Sequence, residues 1–449
     1  MSEVSVTQSS VARHGFTARA PLWSLALLSA FSLSSCSTST ESDQLREGWW
    51  RGVLLTPGGE LPFGLDIQRN EGRWVAFLQN GEERVQVSEV IVQGEQLTLR
   101  MPGYENRIEA VIAGDRLQGS LLMVKAKGAD QRITFSAQHG LRDRFSSSTS
   151  ELDTADNASL LTGTWATTFG ESTKTYSAVG EFKQEGRKVT GTFLTPTGDH
   201  RFLEGEFDGK QLLLSKFDGG HVFLYRATLD DSGQLTGRFW SGLASEEPFT
   251  AIRDDQASLA DIAPETRLSG NATQLDFRFP DLAGHYISIS DPFFQGKVVL
   301  VVLAGSWCPN CHDEAAFLAR LHENKREQGL EIISLMFEQL DDPAKAAEAV
   351  YRFRDRHRIQ YTTLLAGNSD KSDAASKLPQ LDAVLAFPTT IFIDRSGIVR
   401  NIHTGFTGPA TGRHYDELVK DFSARIEALL AEPIPPGLSP GLPTITPDT

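Results

Sequence analysis

The chain has 449 residues, 40% hydrophobic and 22% charged, with a formal net charge of -15 at pH 7. At roughly 150 residues per domain, that length predicts about three domains, each with enough apolar content to bury a core. The acidic balance leaves no general basic field for phosphates and no Lys/Arg-rich run stands out, which argues against nucleic acid as a partner.

Arg13 and Arg19 precede an apolar run from Pro21 to Leu33, too short for the ~20 residues of a spanning helix and suited to a signal-peptide core. It ends in Leu33-Ser34-Ser35-Cys36, which resembles the bacterial lipobox. The resemblance implies a signal peptide over residues 1–35, acylation of Cys36, and a lipid-anchored protein of the cell envelope facing the periplasm. Ser37 after the cysteine favours the outer membrane, and a polar tether, "STSTESDQ", follows. A plain secretory signal, or a buried Cys36 in a first strand, is the competing reading. Apart from Cys36 the chain holds only Cys308 and Cys311, in a compartment that permits disulfides. That pair serves chemistry or a cofactor, because one close pair does not staple a scaffold.

Residues 44–140 and 160–255 read as two copies of one β-rich unit. "EGRWVAFL" at Glu71 aligns with "EGRKVTGTFL" at Glu185, "EQLTLRM" at Glu95 with "KQLLLSKF" at Lys210, and Trp50 with Trp165, at an offset of about 115 residues. Short alternating runs separated by Gly, Asn and Asp predict antiparallel sandwiches or barrels. The polar stretch within 141–159 reads as their linker. No titratable cluster is common to the copies, so they read as a scaffold or docking platform. Trp49, Trp50 and Trp165 read as core or edge aromatics.

The pattern changes near residue 266. "KVVLVVLAG", Lys297 to Gly305, is a continuous apolar run of the kind buried on both faces of an α/β sheet. It leads into "SWCPNCHDE" and a helix with Pro309 in its first turn, an apolar stripe of Phe317, Leu318 and Leu321, and a stop at Gly329. A strand at "LEIISLMFE", a helix at "PAKAAEAVYRFRDRHR", a strand at "YTTLLAG" and a hairpin about Asp394-Arg395-Ser396-Gly397 follow. A final helix carries Tyr415, Leu418, Phe422, Ile426 and Leu429 on one face. Strands alternating with helices over 266–432 predict an α/β domain, and the Pro-rich tail 433–449 is expected to be disordered.

Cys308-Pro309-Asn310-Cys311 is a C-x-x-C motif, and with His312 it also fits covalent haem attachment. A thiol at a helix N-terminus sees unpaired N–H groups and the positive end of the macrodipole, which favour thiolate. Cys308 is therefore the expected nucleophile and Cys311, one turn on, the resolving thiol. His312 is expected to be a solvated helix residue.

At this point the region from about Leu275 to Leu430 resembles the thioredoxin superfamily, and within it the TlpA/ResA-type membrane-anchored thiol-disulfide oxidoreductases. The matching pieces are "GKVVLVVLAGSWCPNCHDE", "FPTTIFIDRSGIV" and "HTGF". The resemblance implies a cis-proline at Pro388 facing the motif, with Phe387 and Trp307 beside it as substrate-binding residues. It also implies a proton-shuttling role for Glu314, against the alternative of a solvated first-turn carboxylate. Val302 stands where the thioredoxin-type buried Asp would be, Leu303 replaces a usual aromatic, and no Pro follows Glu314. A peroxiredoxin would place Thr or Ser at the position of Gly305, and a Sco-type copper chaperone would place three residues between its cysteines, although His403 fits a remote ligand.

The expected protein is multidomain, two antiparallel all-β repeats followed by a thioredoxin-like α/β domain. Its expected activity is exchange of disulfides with protein substrates, as a reductase by analogy, supplied by an unidentified membrane electron donor and using no cofactor and no metal. The alternative is a lipoprotein scaffold with a merely structural thioredoxin-like domain.

Overall fold

The computed structural model describes residues 45–124, 130–145, 160–259 and 265–438. The expected signal peptide, Cys36, most of the linker and most of the Pro-rich tail lie outside the described residues.

Each β copy folds into nine antiparallel strands, the first running Gly48–Thr56 through Gln131–His139 and the second Gly163–Glu171 through Ser245–Arg253. In both, the first strand sits inside the sheet, paired with the second and the ninth. The repeat is visible atom by atom: Trp50 Nε1 donates to the Arg46 carbonyl at 3.1 Å and Trp165 Nε1 to the Leu161 carbonyl at 2.9 Å. Both rings are core, whereas Trp49 packs at the edge over Gly64, where a β-carbon would come within 2.4 Å of the indole.

The copies differ in closure. In the second, Lys188–Thr195 pairs with both Lys174–Glu185 and Leu203–Phe207, which closes the sheet into an eight-stranded barrel filled by Phe169, Phe193, Tyr225 and Phe249. In the first, Glu83–Gln86 and Glu89–Gln93 end the sheet unpaired with each other, leaving a half-barrel. An open sheet must bury its apolar face elsewhere. Phe217, Val222, Leu224 and Trp240 of the second copy supply that cover and join the first copy's core.

The C-terminal region is a five-stranded sheet in the order Thr362–Asn368, Leu330–Glu338, Val298–Ala304, Thr389–Ile393, Val399–Thr404. The first three are parallel and the last two antiparallel to their neighbours. All seven residues of Val298–Ala304 are buried, as a strand covered on both faces requires. The helices are α1 (Pro309–Lys325), α2 (Pro343–His357), α3 (Lys371–Lys377) and α4 (Arg413–Ala431). Gly329 stops the first helical segment in the left-handed region at φ 97. In α4, Leu418, Phe422, Ile426 and Leu429 are buried on the predicted face.

Two elements have no counterpart in the sequence reading: α3, and the small hairpin Arg278–Pro280 with Tyr286–Ser288. The seven-residue α3 is too short for a helical period to show; its local signal is the cap Asp370, which accepts from the N–H groups of Ser372 and Asp373.

Candidate active site

The central strand ends at Ala304, and Gly305-Ser306-Trp307 turns the chain into α1. Cys308 is the N-cap, in extended conformation, and its sulfur accepts from the Cys311 N–H at 3.2 Å. Cys308 and Cys311 are joined as a disulfide with Cα atoms 5.2 Å apart. The Phe387 carbonyl oxygen lies 3.4 Å from the Cys308 sulfur, and the Phe387–Pro388 peptide bond is cis. Trp307 meets the Phe387 ring edge-on at 5.8 Å and donates from Nε1 to the Phe337 carbonyl at 2.8 Å. The fold thus brings Cys308, Cys311, Trp307, Phe387 and Pro388 together. Gly305 is dictated by this packing, because a β-carbon there would stand 2.3 Å from Trp307 Nε1.

Glu314 lies one turn down α1, 1% exposed, and accepts from the Thr390 hydroxyl at 2.6 Å. Burial pushes its carboxyl up to about 8, with the Thr390 hydrogen bond working weakly the other way. It is not a solvated first-turn residue. A second buried carboxyl, unanticipated, closes the neighbouring strand: Glu338 accepts from the Ser306 N–H at 2.8 Å and the Ser306 hydroxyl at 2.6 Å, and burial raises it to about 7. A lone carboxylate ending the apolar run "LEIISLMFE" at the carboxyl edge of a parallel sheet was the available signal.

The expectation that His312 is solvated is wrong. It is 2% exposed, with Nε2 2.8 Å from the Ser306 carbonyl and Nδ1 2.7 Å from His357 Nε2. One tautomer fits both contacts: His312 donates to the carbonyl and accepts from His357. Burial holds both rings well below the usual imidazole range, His357 at about 3. With both nitrogens engaged, His312 has none to offer a haem iron. His403 packs edge-on against Phe422 at 4.9 Å. Among the described residues no group of three or more His, Cys, Asp or Glu side chains is arranged to hold a metal ion.

The β-repeats also reach this site, which nothing in the sequence indicated. Arg201 of the second copy grips Asp313, two residues past Cys311, with Nε at 2.7 Å and Nη2 at 2.9 Å. The same guanidinium pairs with Asp218 at 2.7 Å and with Glu83 of the first copy at 2.8 Å. Burial works against its charge, but Asp313, Glu83 and Asp218 outweigh that and hold it above its ordinary range. The Asn310 side chain, in the middle of the motif, donates to the Asp199 carbonyl at 3.2 Å and carboxylate at 3.1 Å, and Asp199 accepts the Gly408 N–H at 2.7 Å. Tyr104 packs on the His312 ring at 4.8 Å, and a β-carbon on Gly220 would touch Pro309 at 2.9 Å.

A Redoxin family model matches residues 268–418. The chain is 27% identical over 155 residues to the thiol-disulfide oxidoreductase ResA of Geobacillus kaustophilus, covering 34% of this chain and 80% of that protein. It is 28% identical over 146 residues to ResA of Halalkalibacterium halodurans, covering 32% and 74%. The thiol:disulfide interchange protein DsbE of Allochromatium vinosum matches at 28% over 153 residues, covering 34% and 74%. A solved structure, a putative DsbE from Chlorobium tepidum, aligns with a TM-score of 0.28 at 20% identity, covering 37% of this chain and 100% of that one. Residues 268–418, built on a disulfide-capped helix beside a cis-proline, thus carry a Redoxin domain of the thioredoxin superfamily, and over that stretch the chain is similar to TlpA/ResA-type proteins.

Proposed function

We propose that the protein is an extracytoplasmic thiol-disulfide oxidoreductase acting on protein disulfides through Cys308 and Cys311. The observation that carries this reading is the Cys308–Cys311 disulfide at the N-terminus of α1, against the Phe387 carbonyl and cis-Pro388. The ResA and DsbE names of its relatives support the same reaction class.

In the reductive direction the Cys308 thiolate attacks one sulfur of a substrate disulfide. The substrate S–S bond breaks, its other sulfur leaves as thiolate and takes a proton, and a mixed disulfide forms at Cys308. The Cys311 thiolate then attacks the Cys308 sulfur, releasing the second substrate thiolate and leaving the Cys308–Cys311 disulfide. Two electrons have passed to the substrate, and a dithiol donor must return them. The helix N-terminus stabilises the thiolate of Cys308, and Glu314, buried one turn along α1 and protonated at neutral pH, is the candidate proton donor and acceptor for the exchange. Trp307 and Phe387 form the apolar surface beside the reacting sulfur.

The reading extends to a lipid anchor at Cys36, a periplasm-facing position with the outer membrane favoured, and a membrane electron donor. These rest on the lipobox resemblance and on the family. Among the described residues no helix is long and apolar enough to cross a membrane. The test is Cys311→Ser, which leaves Cys308 unable to be resolved: the variant should accumulate mixed disulfides with exported proteins. Absence of any adduct through Cys308 would remove the main support.

A further inference from the structure

Asn310 stands between the two cysteines, and a residue of the second β-repeat holds its side chain. Nδ2 donates to the Asp199 carboxylate at 3.1 Å and to the Asp199 carbonyl at 3.2 Å, with the Phe406 carbonyl at 3.3 Å as a third acceptor. The same Asp199 carboxylate accepts the Gly408 N–H at 2.7 Å through Oδ1 and the Arg201 N–H at 2.8 Å through Oδ2. All of these partners are donors, the surroundings that satisfy an ionised carboxyl group. Asp199 is 3% exposed; burial raises its carboxyl, and the Gly408 N–H, Lys216 and Arg201 work the other way. The nearby cations answer to other carboxylates, the Arg201 guanidinium to Asp313, Asp218 and Glu83, and Lys216 to Asp218.

The backbone leading to Asp199 lies against the same surface. A β-carbon on Gly198 would stand 3.0 Å from Asn310 Nδ2, and one on Gly405 would stand 2.8 Å from the Thr197 carbonyl carbon. Gly405 in turn donates its N–H to the Pro388 carbonyl at 2.8 Å. One short segment of the β-repeat therefore ties the turn that carries the cysteines to the chain beside the cis-proline, with Asp199 as its charged end.

We propose, resting on the oxidoreductase reading above, that Asp199 is a positioning residue for the thiol pair: acting through Asn310, it sets a carboxylate against the first turn of α1 and keeps the couple reducing. The helix N-terminus favours the Cys308 thiolate, and a couple whose reduced form is stabilised becomes an oxidant. A negative charge anchored at that turn opposes the helix dipole, disfavours the thiolate and lowers the potential. The second β-repeat then supplies a working part of the reaction site and is more than a platform.

The test is the reduction potential of the full chain, with the pH midpoint of Cys308 alkylation as a second readout that loss of stability alone would not move. Asp199→Asn keeps the size and removes the charge. It should shift the equilibrium with glutathione toward the dithiol about tenfold, a rise of ~30 mV for a two-electron couple, and lower the alkylation midpoint by about one pH unit. Asn310→Ala cuts the tie from the motif side and leaves the β-repeat untouched; it should move both readouts in the same direction. The double variant should shift less than the sum of the two, because both changes break one link. A potential and a midpoint equal to wild type in whichever of Asp199→Asn and Asn310→Ala folds, or strictly additive shifts, would overturn the assignment. The wild-type chain separates this from failure of the redox reading: a pair inert to dithiothreitol would sink that reading and the inference with it, whereas an active pair unmoved by the substitutions sinks the inference alone.

Discussion

Arg201→Ala probes the contact between the β-repeats and the motif. Arg201 is 6% exposed and meets carboxylates of three different segments, Asp313, Asp218 and Glu83, at 2.7 to 2.8 Å. Asp218 keeps Lys216 at 2.9 Å when the guanidinium is removed. Asp313 and Glu83 lose the partner that offsets their burial, and breaking a buried pair in this way costs about 3–5 kcal/mol. The lower figure applies, since burial already raises both carboxyls and they escape by taking up protons. About 3 kcal/mol placed on the docked state raises the open fraction ~100-fold, at ~1.4 kcal/mol per decade. The assay is the alkylation rate of Cys308 in the reduced chain, together with hydrogen exchange of the Asn310–Ala315 amides. Arg201→Lys should fall between, because an ammonium reaches one carboxylate as a point charge where the guanidinium serves three. The deficit should shrink as pH falls, because acid neutralises the carboxylates the variant leaves unpaired. An unchanged alkylation rate in a folded Arg201→Ala protein would show that the cluster does not hold the β-repeats against the motif.

Glu314 gives a pH signature of definite sign. Its folded carboxyl is raised to about 8 from 4.5, so the folded state favours the proton. Stability from this group is complete below 4.5 and is lost as pH rises to about 8, by up to ~5 kcal/mol at 1.36 kcal/mol per unit. Glu314→Gln should flatten that slope in denaturant unfolding of the Redoxin domain at pH 5 and pH 8.5, and equal slopes would contradict the assignment. Gly305→Ala forces a methyl into contact with Trp307 Nε1 and should cost ~1–3 kcal/mol, read as a lower Tm and an altered Trp307 fluorescence. Glu338→Gln keeps the shape but offers one acceptor oxygen to the two Ser306 donors. It should lower Tm by the equivalent of ~1–3 kcal/mol, and a Tm equal to wild type would deny Glu338 a structural hold on the Ser306 turn.

What the sequence made legible was whatever is local or periodic. The run Lys297–Gly305 announced a strand buried on both faces, and Pro309 after Cys308 announced a helix start; both are seen. The offset of the two β copies is likewise carried by short alternating segments, and their first-strand tryptophans make equivalent hydrogen bonds. Closure was not legible: whether a sheet's ends meet depends on the pairing of Lys188–Thr195 with Leu203–Phe207, which the counterpart strands Arg73–Asn80 and Glu89–Gln93 lack. Nor were the long-range contacts. Asp313 and Arg201 are 112 positions apart, and neither sits in a pattern that marks it as half of a buried pair. His312 was misread for the same reason: its helical position suggested water, and the residues that bury it, Tyr104 and His357, come from other elements.

Whether Cys308 and Cys311 form a working redox couple is read from the reduction potential of the pair. Equilibrating the full chain with dithiothreitol or glutathione buffers and quantifying free thiols by alkylation gives the value. A two-electron couple at or below ~-270 mV is expected, the range of a reductase fed by a donor dithiol. A value near ~-120 mV would make the protein an oxidant, and an unreactive pair would exclude thiol-disulfide exchange at this site.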